Sequence, residues 1–257
     1  KKVNDNIILK HLENLNSEDI FTKSDKNDFV TIYDKKSEEY IIKEINKQFT
    51  KIKIIGEETS FQKNIDFSII DDGYYFTIDP IDGTKNYINK NKNFCSMVSL
   101  IFKKKPIATF VYYPMIKKYI SSFKNFGSKI LDLNTNEIYK LKINKELINF
   151  ATGGTKGIPE ITRKIILEKF NSNFKRYFIG SAGVETLMLA NNEVDFIFHG
   201  RVTPWDHSPM TLIIKEAGGE VLMFNNASKF NVFSKGPILA AKNIEHWNHV
   251  KNKLNIN

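Results

Sequence analysis

Residues 78–87 read Ile78-Asp79-Pro80-Ile81-Asp82-Gly83-Thr84-Lys85-Asn86-Tyr87. Two carboxylates flank a Pro-Ile pair, directly after the apolar and aromatic run Tyr74-Tyr75-Phe76-Thr77-Ile78. That run predicts a buried strand. Gly83-Thr84 follows, where a helix can begin. Acids at the end of a strand can gather hard divalent cations. The free N–H groups of a helix start can receive a phosphate. Metal and phosphate would then meet at one place, as metal-assisted phosphate ester hydrolysis requires.

Upstream of this stretch, Val3 to Leu15 predicts a helix with Ile8, Leu12 and Leu15 on one side. Asp28-Phe29-Val30-Thr31 reads as a short link. A second helix is expected from about Lys36 to Phe49, with Asp34 as its cap and Ile42, Ile45 and Phe49 as its stripe. Ile52 to Ile55 predicts a strand ending at Gly56-Glu57-Glu58, and Ser60 to Asp72 an exposed loop.

Downstream, Phe94–Phe102 and Ile107–Tyr113 predict antiparallel strands turned by Lys103-Lys104-Lys105-Pro106. Lys118–Ser122 and Ile138–Leu141 extend the same sheet. The second half alternates. Helices are expected at Ile161–Phe170, Val184–Ala190, from Trp205 to Ala217, and at Ile244–Leu254. Strands are expected at Tyr177–Ile179, Val194–His199, Val221–Phe224 and Ile238–Ala241. Pro209 falls in the first turn of its helix and Gly218-Gly219 supply the stop. The pattern predicts layered α and β in a single catalytic domain, 1–257. An antiparallel half, 1–142, carries the metal motifs, and an alternating half, 143–257, carries the substrate-side residues.

Composition narrows the function classes. A hydrophobic fraction of 41% over 257 residues suits a folded globular chain. No apolar run approaches the roughly 18 residues of a membrane span, so no membrane partner is expected. The start, Lys1-Lys2-Val3-Asn4-Asp5, has no apolar h-region, and the lack of an initial methionine leaves a trimmed leader open. Cys95 is the single cysteine, which excludes an internal disulfide and makes the cytoplasm the simplest location. The net charge of +9 can attract nucleic acid, an anionic membrane or a phosphorylated small molecule. The lysines are scattered, however, and no aromatic–basic repeat or zinc spacing supports a nucleic-acid module.

Three separated places set an acid at an element boundary: Glu57 with Glu58, Asp79 with Asp82, and Asp206 at a helix start. Taken singly, the glutamates also suit a solvated turn, and Asp206 a helix cap. The Asp79–Thr84 pattern is longer than either explanation needs. Glu57, Asp79, Asp82 and Asp206, with the Ile81 carbonyl, could hold two Mg²⁺ ions, and the expected complement is two or three. Cys95 lies in a strand-like run without a phosphate-loop context and reads as a small core residue.

The chain resembles the inositol monophosphatase family of Mg²⁺-dependent, lithium-sensitive phosphatases. The resemblance rests on Asp28-Phe29-Val30-Thr31 with Asp34 and Glu38, Gly56-Glu57-Glu58, Asp79 to Thr84 with Asn86-Tyr87, Gly180-Ser181-Ala182-Gly183, Trp205-Asp206, and Glu216-Ala217-Gly218-Gly219. It implies an αβαβα sandwich, often a homodimer. It implies metal ligation by Glu57, Asp79, the Ile81 carbonyl, Asp82 and Asp206, and a phosphate cradle at Gly83 and Thr84. It also implies that Asp34 hydrogen-bonds Thr84, and that Glu57 and Thr84 orient a metal-activated water.

The family often places a glutamate seven residues before the late metal aspartate, to bind a substrate hydroxyl. Here that position is His199, and Glu185 stands where inositol enzymes commonly have a small residue. Glu185 could replace the missing hydroxyl acceptor or face solvent. Arg201 could meet a second anionic group or remain a surface residue. Lys85 could strengthen the positive field or stay solvated. His207, adjacent to Asp206, cannot share its face of a helix; packing or support of the site is expected of it.

The expected activity is hydrolysis of a small sugar or polyol phosphate. The alternative substrates are a 3′(2′),5′-bisphosphate nucleotide, histidinol phosphate or fructose 1,6-bisphosphate. A different class is a nonenzymatic binder on the same fold, drawing RNA or an acidic partner through its positive charge.

Overall fold

β-branched and aromatic residues dominate the chain from Tyr74 to Phe123, and they build the middle of a seven-stranded sheet. The computed structural model describes residues 1–23, 28–63 and 72–254. A two-stranded ribbon comes first, β1 (Ile20–Thr22) against β2 (Phe29–Thr31). The large sheet contains β3 (Lys53–Gly56), β4 (Tyr74–Asp82), β5 (Cys95–Phe102), β6 (Lys105–Tyr113), β7 (Lys118–Phe123), β8 (Gly127–Asp132) and β9 (Glu137–Lys140). They lie side by side in chain order. Only β3 and β4 are parallel neighbours, and the remaining pairs are antiparallel.

The second sheet has five strands: β10 (Phe150–Gly154), β11 (Lys175–Arg176), β12 (Phe196–His199), β13 (Glu220–Met223) and β14 (Ile238–Ala241). Their order is β11-β10-β12-β14-β13. β10 pairs parallel with β11 and β12, and β14 antiparallel with β12 and β13.

Helices complete the layers. α1 (Leu9–Leu12), preceded by a π-turn at Asn4–Ile8, and α2 (Ile32–Gln48) cover the outer side of the large sheet. α3 (Glu57–Lys63) follows β3, and α4 (Thr84–Ile88) follows β4. α6 (Ala182–Ala190) and α7 (Pro204–Glu216) lie between the sheets. α5 (Glu160–Asn173) and α8 (Ile244–Leu254) cover the far side of the second sheet. The result is the expected αβαβα sandwich.

Packing follows the periodicities. Met210, Ile213, Ile214 and Ala217 of the α7 segment join Met97, Val111 and Ile120 of the large sheet and Ile197 and Ala240 of the small one in a single core. Trp247, Val250 and Leu254 of α8 pack with Phe170 and Phe196 in a second core. Each such fully buried large side chain stabilises the fold by about 1.5–3 kcal/mol. Among the described residues no helix is long and apolar enough to cross a membrane.

Several local expectations need correction. The second helix starts at Ile32, not Lys36, and its cap is Thr31 rather than Asp34. The Thr31 hydroxyl accepts from the N–H groups of Tyr33 and Asp34, and Asp34 returns the contact by accepting from the Thr31 N–H at 2.7 Å. This is a capping box, with Asp34 at the third helical position. Residues 57–63 form α3 where a loop was expected from Ser60; residues 64–71 of that expected loop lie outside the described residues. Tyr177–Ile179 is not a strand; pairing with β10 ends at Arg176. The sequence reading missed β1, β2, β8 and β10.

α7 begins at Pro204, so Pro204 occupies its first turn and Pro209 lies in its interior. Pro209 has no N–H to return to the preceding turn, and packing of the buried α7 face carries that local cost. The helix ends as expected. Gly218 has φ +98, and Gly219 N–H donates to Ile214 O at 2.9 Å.

Candidate active site

β4 runs buried into the space between the sheets and ends there in carboxylates. Ladder pairing with β5 holds from Tyr74 to Asp79, is interrupted at Pro80-Ile81, and resumes with Asp82 opposite Cys95. The Ile81 N–H donates to Asp79 Oδ1 at 3.0 Å, which folds the bulge around the first acid. Gly83 has φ +94, a left-handed conformation that turns strand into helix within one residue. A Cβ at Gly83 would stand 2.8 Å from Asn93 O. Gly83 and Thr84 line the wall of a cavity of about 740 Å³.

Three expected metal ligands converge. Asp79, Asp82 and Asp206 each offer an oxygen within 4.8 Å of the others. Asp206 arrives from the first turn of α7, across the sandwich from β4. Asp82 is gripped by the start of α6: Ser181 Oγ donates to Oδ2 at 2.6 Å, Gly183 N–H to Oδ2 at 2.7 Å, and Ala182 N–H to Oδ1 at 3.2 Å. Ile81 lines the same cavity.

Glu57 faces that cavity from the start of α3 but stands outside the tight cluster. Its Oε1 accepts from Lys23 Nζ at 2.7 Å, and Lys23 reaches Glu58 Oε1 at the same distance. Glu38 fixes this corner by accepting from the Glu58 and Thr59 N–H groups, both at 2.8 Å. Gly56 leaves the room for it, since a Cβ there would lie 2.2 Å from the Glu38 carboxyl carbon.

The charges are strained by proximity. Burial raises Asp79 well above its ordinary range, and the charges of Glu57, Asp82 and Asp206 add to the effect. Asp206 is pushed to about 7 by burial, then by Asp82 and Glu57. Burial also raises Asp82, against the hydrogen bonds from Ser181, Gly183 and Ala182. Asp34 rises to about 6 through burial. Glu58 rises to about 8 through burial and the Glu57 charge. On Lys23 burial works in the opposite direction, but Glu57 and Glu58 overcome it and hold the ammonium charged. An oxygen-only set with this much crowded negative charge fits a hard divalent cation.

Thr84 Oγ1 lies 3.0 Å from Asp34 Oδ1 and 3.2 Å from Ile81 O, so the contact implied for Asp34 and Thr84 is present. Buried Asp34 itself is behind the cavity wall.

On the opposite wall, Glu185 does not face solvent; it is 2% exposed. Its Oε1 accepts from Thr152 Oγ1 at 3.0 Å, and its Oε2 lies 2.6 Å from His199 Nε2. His199 Nδ1 lies 2.9 Å from His207 Nε2. His207 thus supports the wall through His199 and stands outside the carboxylate cluster. Burial would lower His199, but Glu185 overcomes it and raises it; burial and His199 together hold His207 well below its ordinary value. Arg201 and Lys85 are exposed residues on the cavity rim.

Sequence reasoning named neither Lys23 nor Thr152. Lys23 follows β1 and Thr152 lies in β10, two strands that were not foreseen, so neither had a local signal. Ser181 did have one, as a serine before an apolar helical run.

A buried carboxylate cluster beside a helix start, set in an αβαβα sandwich, fits a phosphomonoesterase, and the relatives and family model place the chain in that class. A fructose-1,6-bisphosphatase/inositol-1-monophosphatase of Aquifex aeolicus is 33% identical over 221 residues, covering 83% of this chain and 78% of its own. A Nus factor SuhB of Pasteurella multocida is 29% identical over 245 residues, covering 92% of this chain and 86% of its own. A solved structure of an IMPase/NADP phosphatase complexed with Mg²⁺ and phosphate has the same fold, with a TM-score of 0.81 at 18% identity, covering 100% of this chain and 92% of its own. The chain belongs to the inositol monophosphatase family, whose profile matches residues 3–254.

Proposed function

We propose that the chain hydrolyses a small sugar or polyol phosphate with the help of Mg²⁺, two or three ions being held by Glu57, Asp79, the Ile81 carbonyl, Asp82 and Asp206. The observation that carries this reading is the meeting of Asp79, Asp82 and Asp206 oxygens within 4.8 Å on one cavity wall. The related fold complexed with Mg²⁺ and phosphate supports it.

Each group has a task. The chemistry that bound Mg²⁺ supplies is activation of water and screening of phosphoryl charge. Gly83 and Thr84 receive the phosphoryl oxygens through N–H groups that have no partner within their helix. Asp34 fixes the rotamer of the Thr84 hydroxyl. Thr84 and Glu57 orient the attacking water. Arg201 meets the non-reacting end of the substrate, with Glu185 and His199 shaping the wall beneath it.

The whole chain acts as one catalytic domain, because α7 of the second half supplies Asp206 to acids on the first sheet. On the same reading the enzyme is lithium-sensitive and cytoplasmic and works as a homodimer on a small phosphorylated metabolite. The resemblance and the single cysteine support these points. A second reading keeps the chemistry and moves the substrate to a bisphosphate; the exposed cations Arg201 and Lys85 on the rim favour it.

A phosphate-release screen over inositol 1-phosphate, fructose 1,6-bisphosphate, histidinol phosphate and an adenosine 3′,5′-bisphosphate tests both. Release that needs Mg²⁺ and stops with EDTA is expected. No release from any of them, together with salt-sensitive RNA binding, would replace the enzyme reading with the binder.

A further inference from the structure

Two of the three clustered aspartates depend on the starts of two different helices. Asp82 is held by Ser181, Ala182 and Gly183 at the head of α6. Asp206 rides on the first turn of α7. Between those helices the contacts are largely apolar, as at Leu187, Ile213 and Ile214. Apolar contact is non-directional and leaves room for small slides. A Mg²⁺ ion demands near-octahedral geometry at about 2.0–2.1 Å, so a slide of a fraction of an ångström matters.

A directional link crosses this gap. Glu185 belongs to the first turn of α6 and His207 to the first turn of α7. His199, at the end of β12, stands between them, 2.6 Å from Glu185 and 2.9 Å from His207. The far ends are anchored too: Thr152 Oγ1 donates to Glu185 at 3.0 Å, and the Thr203 N–H lies 3.0 Å from His207 Nδ1. With Glu185 ionised, two proton arrangements are possible along the chain, and in both the His199 Nε2–H donates to Glu185. Every nitrogen of His199 and every carboxylate oxygen of Glu185 is therefore engaged within the protein. The side chains are 14% and 3% exposed.

We propose that His199 is a positioning residue, a strut between the starts of α6 and α7 that sets the separation of Asp82 from Asp206. This role rests on the cluster being a Mg²⁺ site, as proposed above. It differs from a direct substrate contact, because breaking the strut behind His199, at His207, loosens the metal pocket and leaves substrate affinity at saturating Mg²⁺ unchanged.

The test is calorimetric titration of Mg²⁺ into EDTA-stripped, dialysed protein, alongside KM for the best phosphate ester at saturating Mg²⁺. His199→Ala and His207→Leu cut the link at two points. Both should raise the Mg²⁺ Kd by up to about 10-fold, the lower end of what losing a ligand's own hydrogen-bond partner costs; in His207→Leu, which leaves the His199 ring on the cavity wall, KM should stay within about twofold of wild type. If His199→Ala loses the native circular-dichroism spectrum, His207→Leu carries the comparison. Unchanged Kd in the folded variants, whatever happens to KM, would overturn the strut. Wild-type protein that takes up no Mg²⁺ would instead remove the metal reading itself.

Discussion

Ser181 Oγ lies 2.6 Å from Asp82 Oδ2, joining residues 99 positions apart in the chain. The bond crosses from a helix between the sheets to the end of a strand in the large sheet. It does two jobs. Ser181 caps α6, accepting from the Val184 N–H at 3.2 Å, and its hydroxyl proton steadies an aspartate of the acidic cluster. A polar group buried this deeply has to be satisfied, so the helix start and the carboxylate solve each other's problem.

Asp82→Asn should reduce phosphate release at least about 100-fold, the upper end of what loss of a partner behind a ligand costs. The side chain keeps its shape, and its oxygen can keep accepting from Ser181 Oγ and the Gly183 N–H while only the longest bond, from the Ala182 N–H, is lost, so the circular-dichroism spectrum should match wild type. Turnover equal to wild type would remove Asp82 from the machinery.

Gly183→Ala should damage the same corner by crowding. The added Cβ would lie 2.2 Å from Cys95 Sγ, 2.9 Å from Met97 Sδ and 3.2 Å from Asp82 Oδ2. Overpacking of this kind costs about 1–3 kcal/mol. Denaturant unfolding should show that loss, with weaker Mg²⁺-dependent activity; an unchanged unfolding midpoint would mean the backbone yields freely.

Acidity gives the metal-free protein a definite pH response. Asp206 has a raised value of about 7 in the folded chain against an ordinary 3.8. The folded state then binds this proton more tightly than the unfolded state does. Its contribution is present below about pH 4 and is lost as pH rises to about 7. Asp34, raised to about 6, acts in the same direction. Bound Mg²⁺ offsets the ionised cluster, so the gap in Tm between Mg²⁺ and EDTA samples should widen across that window. A gap that narrows with rising pH would contradict the assignment.

Lys242 offers a control far from the cavity. It is 2% exposed, lies 3.1 Å from Asp195 Oδ1, and also donates to Asn144 Oδ1 and the Glu146 carbonyl. Breaking a buried pair costs about 3–5 kcal/mol. Lys242→Met should show a loss of that order by urea denaturation, while the Mg²⁺ Kd stays at the wild-type value. A shift in Kd would mean that strain travels between the two regions.

Much of this was legible from local pattern. Strand β4 and its acids, the antiparallel run through β6 and the stripe of α7 each carry a periodicity or a breaker within a few residues. The capping box of Thr31 and Asp34 was half visible: the acid was named, but its role was displaced because Thr31 was taken as part of a link. β8 and β10 escaped because glycines and polar residues dilute their alternation, and neighbours on the sheet rather than intrinsic preference hold them extended. The engagement of Glu185 with His199 could not be read at all. It depends on a strand end and a helix start meeting at hydrogen-bond distance, which no spacing along the chain encodes.

The Glu38 carboxylate occupies the volume that any side chain at Gly56 would claim. Positions 38 and 56 are therefore interlocked, one supplying bulk and the other its absence. Among descendants of this chain neither can drift alone: a larger residue at 56 would demand a shorter one at 38, and the start of α3 would then need another acceptor. A paired signature of substitution at these two sites is the trace such an interlock leaves.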